Sequence, residues 1–424
     1  MKLWNSTDSI DAIIERFTIG NDNVLDLELA LYDVIGSIAH AKMLRSIDII
    51  SEEELAAIVK ELEHIKSQIT AGNFKIEAGV EDIHSQVEFI LTEKLGETGK
   101  KIHTGRSRND QVLLDLKLYY REKISELDEQ LVAIAKAFAG QSDKNKNALM
   151  PGYTHTQVGM VSSFGLWFGS FAEAIVDDIR LLRSTAAIID QNPLGSAAGY
   201  GNSFPLDREM TTELLGFNDL CYNSMYAQFT RGKSELQLAN SISTIAYTIN
   251  KFSTDVCLFC NQDFGLISLP DSLTTGSSIM PHKKNPDVFE LLRAKSNQLM
   301  TLPNQVLMIS NNLISGYHRD FQQLKELIMP ALSLMENCLA ILLHCIPLIE
   351  VKKDAIEKSS YDSLYSVEAV NQLVQEGTSF REAYLIVKKQ IEAGEFIPDK
   401  EIAHSHIGSI GQLSNDKILK KLEK

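Results

Sequence analysis

Residues 106–139 read RSRNDQVLLDLKLYYREKISELDEQLVAIAKAFA and contain neither glycine nor proline. Spacings of three and four residues alternate between the apolar positions of its second half, and this pattern places those side chains on one face of an α-helix. At a rise of about 1.5 Å per residue, such a helix is about 50 Å long. The apolar positions are Ile124, Leu127, Leu131, Ile134 and Phe138.

Two further stretches predict helices of similar length. Lys233–Phe264 also lacks glycine and proline, and a third long helix is predicted from Val158 to Gln191. Regular three-and-four spacing over such lengths predicts a left-handed bundle of nearly parallel helices, and oligomerisation is the natural way to cover their outer faces. In the second stretch the repeating apolar residues are Ile242, Ile245, Ile249, Phe252, Val256 and Phe259.

Local signals outside these stretches are also helical. Ser51 and Glu54 form a capping box at the start of an amphipathic helix. Chain breakers separate the long helices, and after about residue 355 the pattern gives way to short helices. We therefore predict an all-α fold with an N-terminal helical domain (residues 1–104), a central long-helix bundle (105–355) and a small C-terminal helical domain (356–424).

Composition excludes several classes of function. The 424 residues carry a net charge of −15 at pH 7, which disfavours binding to nucleic acid or to anionic membranes. The N-terminus lacks a signal-peptide core, and the uncharged stretch Thr156–Phe171 is too short and too polar to span a bilayer. Cys257 and Cys260 form a CxxC without a second pair at zinc-ligand spacing. We expect a cytoplasmic protein without a metal or cofactor.

Three segments are richer in polar residues than packing requires. The first, residues 103–111, reads HTGRSRNDQ and precedes a long helix. Arg106 and Arg108 beside backbone N–H groups at a helix N-terminus could bind an anion. The same residues could equally be a helix cap with solvated charges. The segment alone does not decide between the two interpretations.

The other two segments raise the same question. Residues 152–157 read GYTHTQ and are predicted to open a helix; a lone histidine such as His155 is usually structural. Residues 276–287 read GSSIMPHKKNPD, where Asn285 and Pro286 suit the N-cap and N1 positions of a following helix. Helix capping does not account for the serines and lysines of this segment, which a mobile lid over a carboxylate substrate would explain.

Taken together, the three segments resemble the signatures of the argininosuccinate lyase branch of the fumarase/aspartase superfamily. Further matches, among them Lys2-Leu3-Trp4 and Glu81-Asp82-Ile83-His84, extend the resemblance over roughly residues 1–390. The resemblance implies elimination of fumarate from L-argininosuccinate to release L-arginine, the last step of arginine biosynthesis, by acid/base chemistry and without a cofactor.

The resemblance also implies roles for individual residues. Ser277 and His155 would carry the two proton transfers, with the basicity of His155 raised by Glu290, although which residue accepts and which donates stays open. Lys283 and Asn285 would contact the carboxylate on which charge develops. The remaining substrate-binding residues would be Arg108, Asn109, Thr154, Tyr317, Gln322 and Lys325.

In this superfamily the three signatures come from different subunits of a homotetramer, so shared active sites are expected here. The chain departs from the branch in its N-terminal segment, where a substrate-binding serine has no clear counterpart around Gly20–Asn23. Two alternatives stay open. A different succinyl eliminase should lack Tyr317, Gln322 and Lys325 together. A structural protein on this fold should have lost one of the four residues Ser277, His155, Lys283 and Glu290, all of which are present.

Overall fold

The computed structural model describes residues 12–77 and 79–423; the predicted match at Lys2-Leu3-Trp4 lies outside the described residues. The fold is mostly helical, as predicted. Its α-helices are α1 (Ala12–Ile19), α2 (Asp22–Ser46), α3 (Glu52–Thr70), α4 (Ile83–Leu95), α5 (Glu97–Lys100), α6 (Arg108–Lys144), α7 (Phe164–Ile189), α8 (Arg208–Leu215), α9 (Ser224–Phe259), α10 (Asp287–Leu299), α11 (Leu302–Ser310), α12 (Gln323–Cys345), α13 (Ser366–Gln375), α14 (Phe380–Glu392) and α15 (Asn415–Lys420).

Among the described residues, six short strands form three two-stranded sheets. The strands are β1 (Leu149–Thr154), β2 (Gln157–Ser163), β3 (Gln191–Asn192), β4 (Asp219–Leu220), β5 (Ile267–Ser268) and β6 (Glu350–Val351). β1 pairs with β2 and β5 with β6 in antiparallel fashion, whereas β3 and β4 are parallel.

The long helices bury the faces that the sequence predicts. In α6, Leu127, Leu131 and Ile134 are completely buried. The helix begins at Arg108 and continues to Lys144, so it passes the predicted end by one turn and includes Gly140. Apolar spacing, rather than the absence of glycine alone, therefore sets the extent of this helix.

A break near its start interrupts α9. Arg231 and Gly232 have non-helical backbone angles, and Gly232 has a φ of 85°. A Cβ at Gly232 would lie 2.9 Å from the side chain of Ser310. The backbone N–H of Gly232 donates to a carboxylate oxygen of Glu235 at 2.7 Å, which caps the helix that resumes at Lys233. The long apolar part of α9 therefore starts where the sequence predicts, although it ends at Phe259 rather than at Phe264.

The chain divides into two compact units. The first comprises the chain up to Glu126, Leu181–Ser243 and Thr301–Leu334; the second comprises Leu127–Arg180, Thr244–Met300 and Met335–Lys424. The predicted division into three domains stays a prediction.

In the first unit, α2, α3 and α4 enclose an apolar core. Val34, Ile58 and Leu91 are fully buried there. The predicted capping box starts α3: the N–H of Glu54 donates to Ser51 Oγ at 3.2 Å, and the N–H of Ser51 donates to Glu54 Oε2 at 2.9 Å. Sequence and structure agree at this helix from its cap to its buried face.

Aromatic rings form the core of the second unit. The ring of Phe252 lies 4.8 Å from that of Phe138 and 5.3 Å from that of Trp167, centroid to centroid. Trp167 Nε1 donates to a carboxylate oxygen of Asp255 at 3.0 Å, which satisfies the indole N–H among apolar neighbours. Burial raises the pKa of Asp255, and the bond from Trp167 opposes that effect.

One described segment, Arg319–Leu348, is long and apolar enough to cross a membrane. Buried helices of globular proteins meet the same criterion, and Leu324, Ile328 and Leu332 in this segment are completely buried by protein.

Candidate active site

The first polar segment starts α6, as predicted, and its cap is built from its own residues. The N–H of Asn109 donates to Ser107 Oγ at 3.2 Å, and the N–H of Ser107 donates to Asp110 Oδ1 at 2.9 Å. The second oxygen of Asp110 accepts the N–H groups of Gly195 and Ala197 at 3.1 and 2.8 Å. Burial raises the pKa of Asp110 to about 6, although these backbone donors oppose the shift. Asp110 thus links the cap to the 195–197 loop.

The two arginines of this segment contact different helices. Arg106 Nη1 donates to Ser37 Oγ at 2.8 Å. Arg108 Nη2 lies 3.1 Å from Ser85 Oγ and 3.3 Å from a carboxylate oxygen of Glu88. Within the described part of the chain, no hydrogen bond engages the side-chain amide of Asn109. The cap interpretation therefore holds for Ser107 and Asp110, while the Asn109 amide stays available for substrate.

A buried polar group lies beneath these arginines. His84 Nδ1 is 2.8 Å from Asp33 Oδ1 and 3.5 Å from Asp115 Oδ2, and all three side chains are at most 2% exposed. Burial alone would raise the pKa of Asp33. The charges of His84, Arg106 and Arg108 lower that pKa below its usual value. Burial and the nearby Asp33 and Asp26 raise the pKa of Asp115 well above its usual value.

These three ligand-type atoms are close enough together to hold a metal ion. The guanidinium group of Arg106, whose charge acts on both carboxyl groups, disfavours a cation there. The group connects α2, α4 and α6 and has a structural role. Sequence reasoning missed Asp115, although an acidic residue between two buried leucines (Leu114 and Leu116) was a usable signal.

The second polar segment forms a β-hairpin, so the prediction that it opens a helix is wrong. Thr154 ends β1, Gln157 begins β2, and the two residues face each other. His155 and Thr156 form the two-residue tip with φ values of 53° and 59°, as in a type I′ turn. The tip and Thr154 are exposed. The helix predicted from Val158 begins only at Phe164, because residues 158–163 form the return strand.

The third polar segment is a loop closed at its base. The backbones of Thr275 and Asn285 exchange two hydrogen bonds of 3.2 and 2.9 Å. Asn285 Nδ2 reaches back to Thr275 Oγ1 at 3.4 Å and to the carbonyl oxygen of Gly276 at 3.5 Å. Pro286 occupies the N-cap position of α10, so the predicted N-cap and N1 pair starts one residue too early. Residues 276–284 form the loop between these two paired residues.

Within this loop, the hydroxyl group of Ser277 caps the turn that follows it. Its Oγ accepts the backbone N–H groups of Met280 at 3.1 Å and Ile279 at 3.4 Å. Two converging donors favour a negatively charged oxygen over a neutral one. Lys284 forms an ion pair with Asp271, whereas the ammonium group of the exposed Lys283 has no ion-pair partner among the described residues. The geometry thus provides an oxygen with converging donors and an uncommitted cation in one loop.

Glu290 lies in the first turn of α10 and is exposed. In the described part of the chain, no hydrogen bond or ion pair joins Glu290, His155 and Ser277 to one another. The three side chains are therefore not assembled into a catalytic group by contacts within one chain.

The remaining predicted residues lie in the first unit. Tyr317 is half exposed, with its ring centroid 6.4 Å from that of Phe321. Gln322 Nε2 donates to the carbonyl oxygens of Thr18 and Ile19 at 2.9 and 3.1 Å, so it borders the end of α1. Lys325 is buried and ion-paired.

Two carboxylates hold Lys325. Its Nζ lies 2.7 Å from Asp22 Oδ1 and 2.7 Å from Asp26 Oδ1. Burial alone would lower the pKa of Lys325, but the two aspartates outweigh burial and the pKa lies above its usual value. Neither aspartate was singled out from the sequence, because an acidic residue near a helix start is usually a solvated cap.

The family is shown by two comparisons. A family model described as "Lyase" matches residues 5–301. An argininosuccinate lyase of Bacteroides fragilis is 53% identical over 417 residues, covering 98% of this chain and 93% of that protein. The chain belongs to the argininosuccinate lyase family. An argininosuccinate lyase of Thermotoga neapolitana is 38% identical over 92% of this chain and 98% of its own length.

Solved structures support the fold of an argininosuccinate lyase family member. An EDDS lyase in complex with formate superposes with a TM-score of 0.81 at 19% identity, covering 98% of this chain and 90% of that chain. A class II fumarase from Schistosoma mansoni gives a TM-score of 0.74 at 17% identity, covering 96% and 94%. The predicted long-helix fold of the fumarase/aspartase type is therefore confirmed. The relatives in sequence confirm membership of a family of carbon–nitrogen lyases.

Proposed function

We propose that the chain cleaves L-argininosuccinate to fumarate and L-arginine. The observation that carries the proposal is its 53% identity, over nearly the full length, to a protein named argininosuccinate lyase. The loop bearing Ser277, Lys283 and Asn285 adds chemical support, because it carries both a hydroxyl that accepts backbone N–H groups and a lysine without an ion-pair partner among the described residues. The proposed reaction is an acid/base elimination that needs two proton transfers.

In the proposed reaction a proton leaves the succinyl carbon next to a carboxylate. The electron pair forms the double bond of fumarate while the bond from the adjacent carbon to the guanidino nitrogen breaks, and that nitrogen gains a proton. Ser277 and His155 carry the two transfers, and Glu290 raises the basicity of His155. The donors that converge on Ser277 Oγ stabilise its deprotonated form.

Charge that develops on the succinyl carboxylate is stabilised by Lys283 and Asn285. In the same proposal, Thr154, Arg108 and Asn109 bind the succinyl half. Tyr317, Gln322 and Lys325 bind the argininyl half. Because transition-state charge rather than ground-state charge is stabilised, this arrangement raises kcat.

The active sites are proposed to be shared between the subunits of a homotetramer. Within one chain, no described contact joins His155 to Ser277 or Glu290, although the chemistry needs them together. Helices α9 and α11 also expose large apolar side chains, including Tyr247 at 62% and Met308 at 76%, as subunit interfaces require. A partner subunit would cover these faces and supply the missing catalytic side chains.

A cytoplasmic role in arginine biosynthesis follows from the proposed reaction. The five cysteines are free thiols, which suits a reducing compartment.

The test is fumarate release, followed by ultraviolet absorbance, from argininosuccinate, adenylosuccinate, aspartate and malate in parallel. Fumarate from argininosuccinate alone is the expected result. Release from another succinyl compound instead would favour a different eliminase on the same fold. Release from none, with folding and oligomeric state verified, would favour a structural protein.

A further inference from the structure

Lys325 lies between two aspartates, so this group of ion pairs has one excess negative charge. Lys325 has one positive charge but faces both Asp22 and Asp26 at 2.7 Å. Arg231, whose charge also acts on Asp22, is paired with Glu235, with Nε 3.2 Å from Oε1. One carboxylate of the group therefore lacks a cation of its own.

The two aspartates differ in what else they do. Asp26 is 3% exposed, and its second oxygen accepts the N–H of Ile83 at the start of α4 at 3.3 Å. Asp22 is 14% exposed and lies in the first turn of α2. Asp26 is thus the internal counterion of Lys325, and Asp22 is the carboxylate that faces outward.

Asp22 lies beside the residues proposed to bind the argininyl half. Gln322 bonds to the carbonyl oxygens of Thr18 and Ile19, which lie four and three residues before Asp22, and Lys325 contacts Asp22 itself. The amino-acid head of the argininyl half carries a carboxylate and an ammonium group on one carbon. A lysine next to an outward-facing aspartate presents one charge complementary to each of these two groups.

We infer that Asp22 binds the α-ammonium group of the argininyl half and makes the enzyme specific for a free α-amine. The inference rests on the proposed function and deepens it. The substrate carboxylate is bound by Lys325, and Asp22 exchanges part of its contact with Lys325 for the substrate ammonium. Asp22 also provides a substrate contact near Gly20–Asn23, where the family's serine has no counterpart in the sequence.

Burial already penalises the charge of Asp22, and its pKa is raised despite the contact with Lys325. A second cation would relieve that penalty. An acyl group on the substrate nitrogen would remove the cation and place a neutral amide against a half-desolvated carboxylate, which costs the full desolvation of that group. Discrimination against Nα-acylated substrates is therefore the signature of this contact.

The test compares argininosuccinate with Nα-acetyl-argininosuccinate in the wild type, Asp22→Asn and Asp48→Asn. Asp48 is an exposed acidic residue of the first unit paired with Arg45, and it serves as the charge-matched control. The wild type and Asp48→Asn should prefer the free amine by about 100-fold in kcat/KM. Asp22→Asn should lose about 10- to 100-fold on argininosuccinate, mainly through KM, and little on the acetylated compound.

A purely structural role for Asp22 would lower the apparent Tm and leave the substrate preference intact, and that result overturns the inference. Binding of L-arginine and Nα-acetyl-L-arginine, followed by calorimetry, gives a readout independent of turnover. Selective binding of arginine that disappears in Asp22→Asn supports the inference even if no fumarate is released and the proposed function fails. Equal binding of both ligands by the wild type contradicts the inference even if fumarate is released.

Discussion

Lys325 Nζ and Asp26 Oδ1 lie 2.7 Å apart, 299 residues apart in sequence, with both side chains at most 5% exposed. A buried ion pair contributes little to folding stability compared with apolar packing. Removal of one partner, however, leaves the other charge buried without a counterion, which is strongly destabilising. This pair therefore couples the proposed binding of substrate to the stability of the first unit.

Lys325→Met is expected to abolish substrate binding and also to destabilise the protein by about 3–5 kcal/mol, because Asp22 and Asp26 lose their cation. The double variant Lys325→Met/Asp26→Asn should recover a large part of the lost apparent Tm. Lys100→Met, which breaks an exposed pair with Glu97, is the control and should cost less than about 1 kcal/mol. Equal melting of both lysine variants would show that Lys325 is not an internal counterion.

Ser277→Ala should bind argininosuccinate with little change in KM and lose about 10³-fold or more in kcat, since the proposed base is gone. Ser278→Ala removes the adjacent exposed hydroxyl and should keep near-normal turnover. Steady-state release of fumarate measures both constants. Comparable turnover in the two variants would exclude Ser277 from proton transfer.

Subunit mixing tests shared sites directly. Ser277→Ala and His155→Ala homo-oligomers should each be inactive, and hybrids formed after reversible dissociation should regain a fraction of wild-type activity, because some sites then contain both intact residues. Each variant dissociated and reassembled alone is the control. With subunit exchange verified by mass, hybrids that stay inactive would place both residues in a site built from one chain.

Asp178 predicts a pH dependence of stability. It is 8% exposed in α7, accepts a hydrogen bond from Thr248 at 2.7 Å, and has a pKa raised to about 6, mainly by burial. Because the folded-state pKa exceeds the unfolded value, the folded protein retains this proton from about pH 4 to 6. The contribution of Asp178 to stability therefore falls as pH rises through that window.

Asp178→Asn removes this titration. The variant should gain stability relative to the wild type at pH 8, by at most about 3 kcal/mol, and gain less at pH 4.5. Asp177→Asn on the same helix alters an exposed carboxylate and is the matched control. Apparent Tm values at the two pH values provide the measurement. A difference between wild type and Asp178→Asn that is the same at both pH values would contradict the raised pKa.

The sequence predicts the helical part of this fold well, for identifiable reasons. Ser51 and Glu54 act within one turn, and the buried series Leu127, Leu131 and Ile134 follows from helix geometry alone. Such local interactions need no knowledge of the rest of the chain.

The hairpin and the ion pairs could not be predicted in the same way. Pro151 and Gly152 resemble a helix boundary, and the tip His155-Thr156 lacks the Asn-Gly or Asp-Gly signal of a type I′ turn. The contact between Asp22 and Lys325 joins residues far apart in sequence, so it depends on tertiary packing. The proposed catalytic residues were found only through family resemblance, because each one alone has an ordinary structural interpretation.

The two-residue turn of the hairpin limits which insertions and deletions related sequences can carry in this segment. Side chains of a strand alternate between faces, and the pairing already contains a register shift between Pro151 and Tyr153, so one further inserted or deleted residue in this hairpin would shift the remaining pairs. A substitution at Thr156 would disturb only the local backbone. Related sequences should therefore vary in residue type along this hairpin while keeping its length constant.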